Sequence, residues 1–203
     1  MAIYRNNKKV SAVFRGGRAI SRIYRGEKLV FQSGTVNYGD LELVVKALDN
    51  KGTLWVKDKN YKSYSLTGSG TLTVEAPLIY QSSTKVISFG SDAIPVEIRH
   101  VPPIESSVNS LADNFMNYNK LEYVDISNWK NSAMSSFSRL FYACSSLKYA
   151  DISGFDLSSY SSPNVTNMFY LCPSDMTIRL TGKMKDYLES KGVLPSQAKL
   201  IIV

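Results

Sequence analysis

The apolar residues of this chain recur with three different periods, and each period predicts a different kind of element. In residues 1–32 the period is ten: Ile3-Tyr4-Arg5-Asn6, Val13-Phe14-Arg15-Gly16 and Ile23-Tyr24-Arg25-Gly26 align without gaps. Val10-Ser11-Ala12, Ile20-Ser21-Arg22 and Leu29-Val30-Phe31 fill the intervals. So short a unit cannot hold a helix pair. It suits a β-meander of about four strand residues per unit, with tight turns at Asn6-Asn7, Gly16-Gly17 and Gly26-Glu27. Asn and Gly supply the positive φ such turns need. Residues 33–75 then alternate with period two. Leu41, Leu43 and Val45 share one strand face, and Leu54 and Val56 share another, with Asp49-Asn50-Lys51-Gly52 as a hairpin turn between them. Thr71 to Val74 reads as a further strand after Gly68-Ser69-Gly70, a glycine pair that no Lys-Ser/Thr follows and that is therefore no phosphate loop.

The third period is longer. Leu121-Glu122-Tyr123-Val124-Asp125-Ile126-Ser127-Asn128-Trp129 aligns with Leu147-Lys148-Tyr149-Ala150-Asp151-Ile152-Ser153-Gly154-Phe155 at an offset of 26, which also carries Phe115 onto Phe141 and Tyr118 onto Cys144. A third copy follows at an offset of 28, carrying Phe141-Tyr142-Ala143-Cys144 onto Phe169-Tyr170-Leu171-Cys172 and Ile152 onto Leu180. The two extra residues are expected to bulge near Ser159 to Pro163. A period of 20–29 residues belongs to solenoids in which each unit carries one short strand and buries its apolar face only by stacking. The strands are expected at 122–126, 148–152 and 177–180. Short helices at 110–118, 136–143 and 165–171 would form the opposite wall. Lys183 to Lys191 reads as a helix ended by Gly192, and Ala198 to Val203 as a last strand that caps the array.

The reading is a mostly β chain with short helices, of α+β class. It divides into a basic β-repeat arm (1–32), a β-rich domain (33–105), a leucine-rich-repeat-like solenoid (106–182) and a helix-strand cap (183–203). Charge sharpens this division. The net charge is +7, yet residues 1–32 hold eight basic residues against Glu27 alone, leaving sixteen basic and sixteen acidic residues for the rest. A basic surface spread over the whole chain would point to nucleic acid. This one is confined to an arm, and such an arm docks on something acidic. Arg5, Arg15 and Arg25 take equivalent positions and are expected to form a cross-strand ladder, which needs a neutralising partner; Arg18 and Arg22 complete the candidate anchor. No stretch nears the 18 apolar residues of a membrane span. The first residues lack the apolar run of a signal peptide, so synthesis and folding in a cytoplasm are expected.

These motifs also carry resemblances. The arm resembles a segment at the start of bacteriophage virion proteins, I-x-x-I-Y-R-G-x-x-x-V, which occurs here over Val10 to Ile20 and again over Ile20 to Val30. The resemblance implies attachment to a phage particle rather than an activity. Cys144 to Asp156, followed by Asn164-Val165-Thr166-Asn167-Met168-Phe169, resembles the BspA-like leucine-rich repeat, C-x-S-L-x-x-L-D-L-S-N-F-D-T-S-N-V-T-x-M-x-x-M-F, although Ala150 stands where Leu is usual and Ser158 to Pro163 lengthen the linker. That resemblance implies adhesion or scaffolding by a solenoid face, and it carries over no catalytic residues.

Candidate chemistry is sparse. His100 is the single histidine, in a Pro-flanked segment without a nucleophile and acid beside it. Asp125 and Asp151 stack in register, a spacing shared with retaining glycosidases, but as repeat-position residues they read as turn caps. Cys144 and Cys172 share a repeat position and read as buried free thiols. Asn164-Val165-Thr166 matches a glycosylation sequon but coincides with the repeat motif. Trp129 and Phe155 share a column that is either coil-to-coil packing or a sugar-stacking stripe. Tyr123, Tyr149 and Trp129 are the candidate surface-recognition residues. No cofactor, metal or catalytic residue is assigned. The expected function is a non-enzymatic virion structural protein of head or tail: a fibre, decoration or adaptor component. Its expected partners are other virion proteins through the arm and a host-surface glycan or protein, with homo-oligomeric assembly and no nucleic acid. A bacterial surface adhesin or carbohydrate-binding module is the alternative.

Overall fold

The computed structural model describes residues 52–83, 85–90, 95–99, 101–131, 134–155, 157 and 162–203, together with the backbone of the strands between residues 4 and 47. The arm holds β1 (Tyr4–Arg5), β2 (Lys8–Lys9), β3 (Val13–Arg15), β4 (Arg18–Ile20), β5 (Arg22–Arg25) and β6 (Lys28–Gln32). They pair antiparallel as β1-β2, β3-β4 and β5-β6, and among the described residues these ribbons do not pair with one another. The backbone register sets Arg5 opposite Lys8, Arg15 opposite Arg18 and Arg25 opposite Lys28. The three turns at 6–7, 16–17 and 26–27 lie outside the described residues.

The next strands are β7 (Leu41–Ala47), β8 (Thr53–Asp58), β9 (Ser63–Thr67), β10 (Gly70–Val74), β11 (Leu78–Ile79) and β12 (Ile87–Phe89). The expected hairpin between β7 and β8 does not form. β7 pairs with β10, while β8 pairs with β9 along one edge and with β11 and β12 along the other. Alternation specifies which face of a strand is buried, not which neighbour takes its hydrogen-bonding edge. Residues 49–51 of the expected turn lie outside the described residues.

From β13 (Pro95–Arg99) onward the chain winds as a β-solenoid of about four turns. β13, β14 (Tyr123–Asp125), β15 (Tyr149–Asp151), β16 (Thr177–Leu180) and β17 (Lys199–Ile202) are parallel neighbours. Tyr123 pairs with Tyr149 and Tyr149 with Thr177, the 26- and 28-residue offsets read from the sequence. β7 adds antiparallel to β13, so one sheet runs β10-β7-β13-β14-β15-β16-β17. Sheet and core both cross residue 105: a single apolar cluster extends from Leu54 to Leu188. The 33–105 and 106–182 segments are thus not separate packing units.

The second wall departs from expectation. The segments 110–118, 136–143 and 165–171 are successive turns, not helices. Asp113, Asn117, Arg139, Ala143, Asn167 and Leu171 all have φ between 53° and 69°, two per coil and four residues apart. Each reversal aims alternate N–H groups sideways. Leu111, Asp113, Phe115 and Asn117 donate to the carbonyls of Ser136, Ser138, Leu140 and Tyr142, and Phe137, Arg139, Phe141 and Ala143 to those of Asn164, Thr166, Met168 and Tyr170. The intervening N–H groups close turns within the coil, such as Asn114 to Leu111 and Phe141's neighbour Tyr142 to Arg139. A helix would spend every N–H within its own coil and leave the coils joined by side chains alone. Each such wall segment opens on a small polar side chain that accepts from the N–H two residues on: Ser110 from Ala112, Ser136 from Ser138 and Asn164 from Thr166. The sequon asparagine is thus a turn cap.

The core between the walls is columnar. Phe115, Phe141 and Phe169 stack with centroids 5.5 Å apart at each step. Leu121 and Leu147, Ile126 and Ile152, and Val124, Ala150 and Ile178 are fully buried at equivalent positions. The expected bulge at 159–163 falls largely on residues 158–161, outside the described residues. The tail closes the array as expected. α1 (Gly182–Ser190) is capped by Thr181, whose Oγ1 accepts from the Met184 N–H, and buries Met184 and Leu188. At its end Gly192, at φ 62°, donates to Glu189 while Val193 donates to Leu188, the paired bonds of a Schellman motif.

Two substitutions of opposite sense test this packing. A Cβ on Gly154 would lie 2.3 Å from the Ser127 carbonyl oxygen and 2.8 Å from that of Trp129, both backbone atoms of the preceding coil. Gly154→Ala should destabilise by about 1–3 kcal/mol or more in denaturant melts. Ala143 bears a Cβ at φ 57°; a left-handed residue costs roughly 1–2 kcal/mol, and glycine's entropy takes back about 0.5–1 kcal/mol. Ala143→Gly should therefore raise stability by up to about 1.5 kcal/mol, the opposite of its effect in a helix.

Candidate surface-recognition face

Period two decides what the parallel sheet shows to the outside. Val124, Ala150 and Ile178 turn inward, so their neighbours Tyr123, Asp125, Tyr149, Asp151, Thr177 and Arg179 turn outward. Register then makes stacks of them. The rings of Tyr123 and Tyr149 lie 4.6 Å apart with 9° between their planes. Arg99 places its guanidinium carbon 3.8 Å from the centre of the Tyr123 ring and pairs with Glu97. Guanidinium, ring and ring thus form one continuous layer along the sheet, half-buried at its edges.

A carboxylate row runs beside it. Asp125 accepts from the N–H and Oγ of Ser127 at 3.0 and 2.7 Å. Asp151 accepts the same pair from Ser153 at 3.0 and 2.6 Å, and its other oxygen takes the Arg179 guanidinium at 2.8 Å. That bond raises the Arg179 pKa above its ordinary value, against an opposing effect of burial. Asp151 is 3% exposed although its pleat position faces out, because Ser153 and Arg179 close over it. Both carboxylates act as turn caps leaving a strand. Among the described residues no group of three or more His, Cys, Asp or Glu side chains is placed to hold a metal ion, and no helix is long and apolar enough to cross a membrane.

No family model, curated protein or solved structure matches the chain.

The fold brings together two of the three candidate recognition residues. Trp129 is the exception: it is fully buried, stacks 6.0 Å from Phe115, and donates its indole N–H to the Pro102 carbonyl at 3.0 Å. Phe155 is 1% exposed. Their column is coil-to-coil packing, and neither ring can meet a ligand. Arg99 escaped the sequence reading. Its coil aligns with the next at little more than Ile98 over Val124, one hydrophobic match at an offset of 26, too weak to mark β13 as a repeat strand. The anchor residues Arg5, Arg15, Arg18, Arg22 and Arg25 all fall on ribbon strands, with side chains outside the described residues, as is His100.

The repeat-position thiols are free. Cys144 Sγ donates to the Phe115 carbonyl at 3.1 Å and Cys172 Sγ to that of Phe141 at 3.0 Å, each reaching back one coil. Cys144 is buried and Cys172 partly so. Burial raises both pKa values, that of Cys172 to about 12. A thiol whose folded pKa lies above its unfolded one stabilises fully below the unfolded value, near 8.5, and loses that contribution as pH rises toward the folded value.

Two outcomes follow for the thiols. At pH 8 Cys172 should react with a thiol reagent roughly a thousandfold more slowly than an ordinary cysteine, and Cys144 only on unfolding. Between about pH 9 and 11 denaturant melts should show stability falling by up to about 1.4 kcal/mol per pH unit per thiol. The Cys144→Ala/Cys172→Ala variant should lack that decline.

Proposed function

We propose that the protein is a non-enzymatic structural component of a bacteriophage particle, of head or tail, held by its basic arm and presenting a BspA-like leucine-rich-repeat body. The observation that carries this reading is the segregation of charge. The whole net charge of +7 resides in residues 1–32, within the virion-like ten-residue repeat, while the body is balanced. An arm of this uniform basic charge suits docking on an acidic socket better than a free surface. The body suits display: a solenoid holds a long face rigid and repeats its outward residues in register.

A second reading, contact with a host-surface carbohydrate, is favoured by one feature of that face. Tyr123, with Arg99 on one face and Tyr149 on the other, turns ring edges rather than open faces outward, so such contact would be polar, to the hydroxyl groups of a sugar.

Deleting residues 1–32 is expected to leave a folded body with an unchanged melting transition that no longer joins phage particles when co-expressed with the other virion proteins. Normal incorporation of the shortened chain would overturn the anchor. On a glycan array the full chain is expected to retain any ligand it binds, and Tyr149→Ala to lose it.

A further inference from the structure

In the turn wall the first and second coils each hand four N–H groups to the carbonyls of the next coil. The equivalent donors in the third coil are the N–H groups of Val165, Asn167, Phe169 and Leu171. No fourth coil of this wall follows, because the chain instead forms α1 and the segment 191–198. Among the described residues these four N–H groups have no acceptor. The N–H groups between them are used: Thr166 donates to Asn164 Oδ1, Met168 to Val165, Tyr170 to Asn167 and Cys172 to Phe169. The edge therefore presents donors only.

A cleft in two adjoining parts lies against this edge. One part, of about 520 Å³, runs from Pro163 past Thr166 to Tyr187 and Lys191. The other, of about 330 Å³, sets Phe169 and Cys172 opposite Val193 and Leu194. Asn167, Gly192 and Val193 line both. Tyr170 and Leu171 stand at its rim, 55% and 57% exposed.

We propose that this cleft binds an extended peptide segment of a partner protein, whose main-chain carbonyls accept from Val165, Asn167, Phe169 and Leu171 in the place a fourth coil would take. Twice in this molecule the same row of donors is met by main-chain carbonyls at every second residue. A polypeptide edge repeats its acceptor at that interval, as in strand addition to an open sheet. An anion fits less well. Anion-binding nests need successive N–H groups to converge, and here the intervening ones are spent on turns. Among the described residues Lys191 is the single charged one lining the cleft, whereas Phe169, Cys172, Val193 and Leu194 suit apolar side chains of a peptide. A second copy would have to offer its first-coil carbonyl row, of which the Ser110 carbonyl already accepts from Tyr80, while the Val86 N–H donates to the Asn114 side-chain Oδ1 beside it. The cleft lies on the turn wall, not among the sheet-face tyrosines, and its chemistry does not depend on the arm.

Amide hydrogen exchange of the full chain is the first test. The N–H groups of Val165, Asn167, Phe169 and Leu171 should exchange at least about tenfold faster than those of Phe137, Arg139, Phe141 and Ala143; equal protection would mean the edge is closed and would overturn the proposal. The second test selects from a displayed library of random peptides about twelve residues long. Selected peptides should slow exchange at the four amides, and Ser174→Trp and Ser196→Trp, at exposed positions on the cleft, should weaken them at least about tenfold. Lys120→Ala, at an exposed position outside the cleft, should bind as the parent does. A library that yields no binder, binders indifferent to both tryptophans, or protection of the same amides by heparin alone would each overturn it.

Discussion

Every coil of this protein must find hydrogen-bond partners in the coils on either side of it, and that demand shapes both walls. On the sheet wall it is met by parallel strands. On the other wall it is met by turns whose left-handed residues swing alternate N–H groups out of the coil. A buried backbone group without a partner costs as much as a lost hydrogen bond, so an offset error of one residue would strand several donors at once. Left-handed conformations at Arg139, Ala143 and Leu171, which have no side-chain preference for them, show how strongly the ladder outweighs local strain. The same closeness explains Gly154, where the preceding coil's backbone leaves no room for a side chain.

Once that offset is set, side chains fall into columns, and each column takes its role from the direction in which it points. Inward columns become the phenylalanine stack and the aliphatic core. Outward ones become the tyrosine layer and the capped aspartates. Ion pairs join successive coils as well: Glu122 with Lys148, Asp113 with Arg139, and Asp151 with Arg179. The first two are solvated and contribute little. The third is shielded on its acidic side, since Asp151 is almost wholly covered. The cysteines belong to this scheme as well. Their sulfurs each donate to a carbonyl of the preceding coil, which is a structural use of a weak donor in a position too dry for thiolate chemistry.

A solenoid ends where its ladders end, and the two walls end differently here. The sheet wall gains β17 after α1, whereas the turn wall stops one coil earlier. The Schellman turn at Gly192 and the segment behind it cover the apolar end of the core without supplying carbonyls to the last turn row. This difference in length is what opens the cleft.

Much of this was legible in the sequence because it depends on which side chains recur. The offsets of 26 and 28, the inward columns at Leu121, Val124 and Ile126, the paired thiols and the helix ended by Gly192 all follow from repetition and local propensity. Other features depend on which backbone edge meets which, and side-chain pattern does not encode that. Leu111, Phe115 and Tyr118 have helical spacing, but two successive turns of four residues bury the same positions, and only the neighbouring coil decides between them. The alternation of β7 was plain, yet its partners β10 and β13 lie far along the chain. Arg99 joined the tyrosine stack, and Trp129 left the surface, through contacts made across coils. Sequence by itself determined the unit, its period and its buried faces. The tertiary structure alone decided how the backbone between those faces spends its hydrogen bonds, because a donor's partner is chosen by the coil beside it in space.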